Sequence, residues 1–220
     1  MAEDDGIRLE GEVREKLVRS KERWARDGRL LTGAAGEDRL PPGQRLVTDF
    51  PVLDLGVQPD VAKDRWRLRL EGLVEARQAF GWEEFLALPQ QDFVNDIHCV
   101  TAWSRYDNRW QGVATRTLLE LCRPRPEARF VVFHSYDGYT TNVTLEAFAA
   151  EDALVAHSWE GRPLERVHGG PARVVLPRWY FWKSAKWVTR IEFTAEDQPG
   201  FWEVRGYHNE ADPWLEQRYG

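Results

Sequence analysis

Hydrophobic and polar positions divide the chain into an amphipathic arm and a strand-rich body. Residues 8–26 are dense in Arg, Lys and Glu, while Leu9, Val13, Leu17 and Trp24 recur near helical spacing. That predicts a mostly solvated helix with one narrow apolar stripe, an arm that packs on the body or on a partner. The glycines and Pro41-Pro42 between Gly28 and Gly43 predict a loop. Beyond Phe50 the pattern tightens. Trp66 to Leu70 and Trp187 to Phe193 alternate, as half-buried strands do. Arg129 to His134 and Ala172 to Leu176 are short apolar runs suited to buried strands. Trp82 to Leu88, closed by Pro89, predicts a short helix. Thr115 to Cys122 predicts another, with Thr117 and Glu120 at capping-box spacing, and Leu145 to Ala150 fits one or two turns. Strands outnumber helices and do not alternate with long ones, which argues against a doubly wound parallel sheet. The expectation is an α+β fold with mixed β-sheets and short helices: an N-terminal arm and loop over residues 1–44, then a single body over 45–220. No internal repeat is visible.

Composition narrows the function classes. At 220 residues, 42% hydrophobic and 30% charged, the chain suits one sizeable core. A formal net charge of −6 argues against a general nucleic-acid binder, which needs surplus Lys and Arg. No apolar run approaches the ~20 residues of a membrane-spanning helix. The acidic N-terminus lacks a positive, apolar leader pattern, and two cysteines make no disulfide scaffold. The expected location is cytoplasmic. Eleven tryptophans are an excess; they fill cores or line pockets for flat ligands.

Two segments carry candidate chemistry. From His168 to Arg190 the chain holds Arg173, Arg178, Lys183, Lys186 and Arg190 and no acidic residue, together with Gly169-Gly170 and the aromatic run Trp179-Tyr180-Phe181-Trp182. Cations beside glycines and free backbone amides suit a phosphate or another multi-oxygen anion; a sheet with a cationic outer face gives the same composition. The other is Asp96-Ile97-His98-Cys99-Val100-Thr101-Ala102-Trp103-Ser104. Cys99 can be a small buried hydrophobe, a nucleophile with distant helpers, or a thiolate ligand to a transition metal. Adjacent His98 points the other way in an extended segment, which weakens a simple dyad. For the metal reading, no spaced Cys or His partners exist, so the other ligands have to come from a cofactor.

The stretch His98 to Ser104, followed by Trp110-Gln111-Gly112-Val113, resembles the molybdopterin-binding domain of the sulfite oxidase family. Within that family it is similar to the haem-free bacterial branch that includes the catalytic subunit of the periplasmic methionine sulfoxide reductase. The likeness runs from about Arg45 to the C-terminus and implies the sulfite-oxidase-type fold, a Mo-molybdopterin cofactor and Cys99 as the metal's sole protein ligand. His168 to Pro177 resembles the segment that holds the pterin, which assigns His168 and Arg173. Lys183-Ser184-Ala185-Lys186-Trp187 resembles the loop that grips the phosphate end. Ser135 falls where the bacterial branch has a cofactor-contacting Thr, Tyr139 where sulfite oxidases have an active-site tyrosine, and Asp49 and Phe50 where an early cofactor contact lies.

The resemblance therefore implies a molybdenum oxidoreductase that moves an oxygen atom to or from a small oxo substrate, an S-oxide or N-oxide. Trp103, Trp110 and Trp182 are candidates for the pocket rim. The departures are informative. The arginine-rich sequence that follows the cysteine in sulfite oxidases is replaced by Arg105 and Arg109 at other spacings, which counts against sulfite. No haem domain, export signal or dimerisation domain is expected, so electrons have to pass through a separate electron-transfer protein. Two other readings compete: a hydrolase or transferase with Cys99 as nucleophile, and a non-enzymatic Trp-rich module.

Overall fold

Two β-sheets packed face to face build the body, as given by a computed structural model that describes residues 15–27 and 39–220. In chain order the elements are α1 (Glu15–Asp27), β1 (Arg45–Leu46), β2 (Arg67–Gly72), β3 (Gln78–Gly81), α2 (Trp82–Ala87), β4 (Gln91–Cys99), β5 (Trp103–Ala114) and α3 (Thr115–Cys122). There follow β6 (Phe130–Ser135), β7 (Thr140–Thr144), α4 (Leu145–Phe148), β8 (Leu154–Trp159), β9 (Arg162–Pro163), β10 (Arg173–Val175) and β11 (Val188–Thr194). The fold is α+β with mixed sheets and short helices. Leu9, Val13, the Trp24 side chain and residues 28–38 of the expected loop lie outside the described residues. No helix among the described residues is long and apolar enough to cross a membrane.

The smaller sheet runs β3-β2-β11-β6-β7, antiparallel except for β2 beside β11. Alternation divides its residues cleanly. Leu68, Leu70, Val131, Phe133, Ile191 and Phe193 face the other sheet and are fully buried, each contributing ~1.5–3 kcal/mol. Intervening positions carry an exterior charge ladder, in which Arg190 pairs with Glu71 at 3.0 Å and His134 with Glu192 at 2.9 Å.

In the six-stranded sheet β5 is the spine. Antiparallel β4 lies along one edge, while parallel β1 and antiparallel β8 share the other; β10 and β9 extend β8. Gly112 is required there, because a Cβ would lie 2.1 Å from the Val155 carbonyl oxygen where β5 bulges against β8. Val113, Val155 and Val174 pair across β5, β8 and β10 and face the smaller sheet. Leu154, Ala156 and Val175 face the opposite way into a second apolar cluster.

Two local expectations change. α3 begins at Thr115, whose hydroxyl bonds to the carbonyls of Phe148 and Ala153. Thr117 therefore lies inside the helix and makes no capping box. Among the described side chains of α1 the buried ones are Val18 and Lys21, one turn apart, and Leu17 of the expected stripe is half-buried. The arm packs on the body through Val18 and through Tyr219, whose hydroxyl donates to the Glu22 carbonyl at 2.8 Å.

Candidate functional site

Cys99 ends β4, and the turn to β5 passes through Ala102 at a positive φ of 66°. The Cys99 carbonyl closes that turn by accepting from Ala102 N at 3.0 Å and also accepts from Gln44 Nε2 at 3.1 Å. The C-terminal tail braces the same turn through Arg218, which donates to the Val100 carbonyl at 2.6 Å. The thiol lines a cleft whose walls also include Phe50, Tyr139, Phe181 and Trp182. Its one side-chain partner is Thr101, Sγ to Oγ1 3.2 Å. Burial pushes the thiol pKa up, against the pull of Thr101, Lys21 and Arg218. His98 turns the other way: its Nδ1 meets Ser104 Oγ at 2.8 Å, and burial drops its pKa to about 4. No His98–Cys99 dyad exists. Among the described residues no three His, Cys, Asp or Glu side chains gather as a metal-binding group.

The cationic segment reaches the same cleft because Tyr180 bridges to His98 and its N–H donates to the Ala211 carbonyl. Arg173 leaves β10 on the face opposite Val174 and lines the cleft. It is 1% exposed. Its guanidinium bonds only to backbone, to the carbonyls of His168 at 2.8 Å, Ser184 at 2.7 Å and Val174 at 3.3 Å. Burial lowers its pKa to about 9. Lys186 also lines the cleft and donates to the Val167 carbonyl at 2.7 Å; burial first, then Arg173, lowers its pKa to about 7. Gly169, at φ +108°, lets these two approach: a Cβ there would lie 3.0 Å from Lys186 Cα and 3.1 Å from Arg173 Cβ. Neither cation has an ion-pair partner among the described residues. Buried charges are costly unless paired, and the arrangement suits an anion.

The other cations of the segment are committed elsewhere. Lys183 is fully buried, 2.7 Å from Glu203 and 2.8 Å from the Asn142 carbonyl, and does not line the cleft. Arg178 pairs with Asp152 and Glu151 on the surface, and Arg190 belongs to the exterior ladder. Arg105, bonded to Glu160 at 3.2 Å, is likewise outside.

Among the remaining expected site residues, Ser184 lines the cleft and its Oγ accepts from Leu176 N. Ala185 packs in the core between the sheets, and its carbonyl accepts from Val174 N. His168 lies beside Arg173, its ring stacked 4.1 Å from Phe50, which lines the cleft. Burial, with Arg173 and Lys186 adding, lowers the His168 pKa to about 4. Its Nδ1, like Ser135 Oγ, is buried without a partner among the described residues, and neither residue lines the cleft. Asp49 is exposed and apart from the cleft. Tyr139 lines it, but its hydroxyl donates to the Trp182 carbonyl at 2.6 Å. Trp103 and Trp182 line the cleft, whereas Trp110, bonded to Asn95 at 3.1 Å, packs in the core behind it.

Three charged cleft residues escaped the sequence reading: Lys21, Asp54 and Asp137. Asp137 sits in the β6–β7 turn and accepts from Tyr139 N at 3.0 Å; burial raises its pKa to about 6. Its Asp-Gly hairpin signal, two residues before Tyr139, was the available clue.

A thiol, two buried cations without a direct ion pair among the described residues, the orphaned Trp103 Nε1 and aromatic walls suit a phosphorylated, heterocyclic metal carrier. The comparisons agree. The model of the oxidoreductase molybdopterin-binding domain matches residues 55–202. The uncharacterized oxidoreductase YuiH of Bacillus subtilis is 47% identical over 184 residues, 82% of this chain and 92% of the relative. The putative protein-methionine-sulfoxide reductase subunit YedZ1 of Azospira oryzae is 30% identical over 65% of this chain and 54% of its own. The protein-methionine-sulfoxide reductase catalytic subunit MsrP of Campylobacter jejuni is 28% identical over 63% and 52%. The chain thus spans about half the length of the two reductase relatives. The crystal structure of the sulfane dehydrogenase SoxCD from Paracoccus pantotrophus shares the fold, with a TM-score of 0.59 at 22% identity over 64% of this chain and 41% of that one. This chain belongs to the oxidoreductase molybdopterin-binding domain family.

Proposed function

We propose that the protein is a molybdenum enzyme transferring an oxygen atom to or from a small S-oxide or N-oxide, with Cys99 as the metal's protein ligand. One observation carries this: a buried thiol without an adjacent base shares its cleft with two buried cations, Arg173 and Lys186, that form no direct ion pair among the described residues. When bound, Mo-molybdopterin supplies the two-electron oxygen-atom chemistry. Arg173 and Lys186 hold its phosphate, and the carbonyls of His168 and Ser184 keep the guanidinium aimed. Trp103 Nε1 is the unpartnered polar atom on the cleft wall for the pterin, and Phe50 with Phe181 supplies apolar wall. Lys183 positions the segment through Glu203 without touching the ligand.

Cys99 would ligate as a thiolate, losing its proton to solvent on binding. Tyr139 has its hydroxyl proton on the Trp182 carbonyl, so Asp137 is the cleft group placed to hold and release a proton near neutral pH. Both reductase relatives are described as subunits, which supports a separate electron-transfer protein as partner. The nucleophile reading finds no support in the geometry: no base reaches Cys99, and the thiol pKa is raised where a nucleophile needs it lowered.

Protein from a molybdenum-replete host is expected to carry about one molybdenum and one pterin per chain. Cys99→Ser is expected to lower metal content and abolish turnover with reduced viologen on sulfoxides while the circular dichroism spectrum is kept. Reproducible absence of both metal and pterin from the wild type overturns the reading.

A further inference from the structure

Helix α1 precedes the family-matched stretch, which starts at residue 55, yet it supplies part of the cleft. Val18 anchors it in the apolar cluster around Cys99 and Tyr180, and Lys21, on the next turn, is only 9% exposed. The Lys21 ammonium donates to the Asp54 carbonyl, and this is its one hydrogen bond among the described residues. The Asp54 carboxylate bonds to Gly56 N at 2.8 Å and Gln58 Nε2 at 2.6 Å and, like Asp137, acts on the ammonium through space without a hydrogen bond to it. An ammonium has three N–H donors, so Lys21 has donors left over at the cleft. It lies within electrostatic reach of Cys99. Leu53, Leu55 and Val100 line the cleft as well and keep this end of it poor in water, where a charge-assisted bond is strongest.

Resting on the molybdenum reading, we propose that Lys21 is the substrate-side cation of this site: its ammonium binds an anionic group, such as a carboxylate, carried by the oxo substrate. Arg173 and Lys186 come from one segment fixed around Gly169 and form a permanent anion seat. Lys21 comes from a separate element laid across the cleft, the arrangement suited to a ligand that comes and goes. Burial leaves its pKa at about 8, so the ammonium is mostly charged at neutral pH.

The test uses the loaded enzyme and two sulfoxides of similar size, one bearing a carboxylate and one neutral. Lys21→Gln is expected to raise KM for the carboxylated substrate about tenfold or more, the size expected for losing a charge-assisted hydrogen bond. With rates referred to bound molybdenum, the KM for the neutral sulfoxide stays at its wild-type value, and Lys21→Arg, which keeps the charge, recovers most of the lost affinity. Equal effects on both sulfoxides, or no effect on either, overturn the proposal. Loss of molybdenum and pterin in both variants overturns it too, by placing Lys21 on the cofactor. A wild type without molybdenum refutes the function reading alone. Tryptophan-fluorescence titration of that metal-free protein with the carboxylated sulfoxide still reads Lys21: weakening by Lys21→Gln but not by Lys21→Arg supports the contact, and binding unchanged by Lys21→Gln overturns it.

Discussion

The two faces of the six-stranded sheet are built from the same strands but differ in what they bury. Toward the smaller sheet, Val113, Val155 and Val174 pack against hydrocarbon, and nearby Cys122 is a free, buried thiol among them. Toward the cleft, the next residue along β10 is Arg173, and Cys99 is the second free, buried thiol. Burial raises both thiol pKa values, that of Cys122 to about 11. The difference lies in the company each keeps. Cys122 Sγ has only the Leu119 carbonyl at 3.9 Å, whereas Cys99 shares its cleft with Arg173 and Lys186, neither of them in a direct ion pair among the described residues. A fold tolerates buried, unpaired charge where a ligand completes it. The unpaired charge therefore marks the working face better than the thiols do.

The largest contrast is between the cysteines. Cys99→Ser is expected to lower turnover by more than about 100-fold, since even residues that only support a metal ligand are worth 10–100-fold. Cys122→Ser is expected to keep turnover and metal while costing about 1–2 kcal/mol of stability, because a hydroxyl is placed in hydrocarbon. Metal analysis and urea unfolding on both variants read the two outcomes, and equal loss of metal in both would erase the distinction.

Neighbours on β10 give the next contrast. Arg173→Met removes the anchor of the anion seat, and cofactor affinity is expected to fall about 10- to 100-fold for the loss of charge-assisted hydrogen bonds. Val174→Ala, one residue away on the dry face, is expected to cost about 2 kcal/mol of stability with cofactor retention unchanged. Reconstitution titrations and denaturant midpoints check both.

Lys186 converts the same idea into a pH dependence. Burial and Arg173 hold it at about 7 in the ligand-free fold, while in the unfolded chain it keeps its proton to about 10.4. Between these values the unfolded chain binds more protons, so the ligand-free protein gains stability as pH rises through that window. Anion binding runs the other way, because it needs the charged lysine: cofactor affinity should fall above about pH 7, by at most about tenfold per unit. Lys186→Gln should flatten both profiles. A cofactor affinity that is independent of pH in the wild type would remove Lys186 from the seat.

What was legible in the sequence follows from the same contrast. Cys99 and the cationic segment were visible because their chemistry is contiguous: a thiol in an unusual neighbourhood, and cations without acids. Which of those cations serve the site was not visible. Lys183 and Lys186 look alike in sequence, and the residue that takes Lys183 out of the cleft, Glu203, arrives from a distant turn. Lys21 was hidden for a different reason. In a helix so rich in Lys, Arg and Glu, one buried lysine carries no local signature; only tertiary docking singles it out. Strands β2, β6, β10 and β11 were legible from alternation and apolar runs. The β4–β5 hairpin was not, because Asp92, Asn95, Asp107 and Arg109 interrupt its apolar pattern, and its ends are fixed by a bulge and a turn that propensity does not encode.

The smallest effect belongs to His98, the residue beside Cys99 that a dyad mechanism requires. Its imidazole is neutral, held by Ser104 and set edge-on to Trp214 at 6.3 Å between ring centroids, on the side of β4 away from the thiol. His98→Asn is therefore expected to cost about 1 kcal/mol, the value of one hydrogen bond. Sulfoxide turnover should stay within about twofold of wild type, because no charge or proton at the cleft changes. The pH profile of turnover should be unmoved as well, since a group held near 4 does not titrate in the working range. A loss of turnover as large as that of Cys99→Ser, with metal content intact, would mean that imidazole and thiol act together. The cleft would then be read as a nucleophile's pocket and not as a metal's.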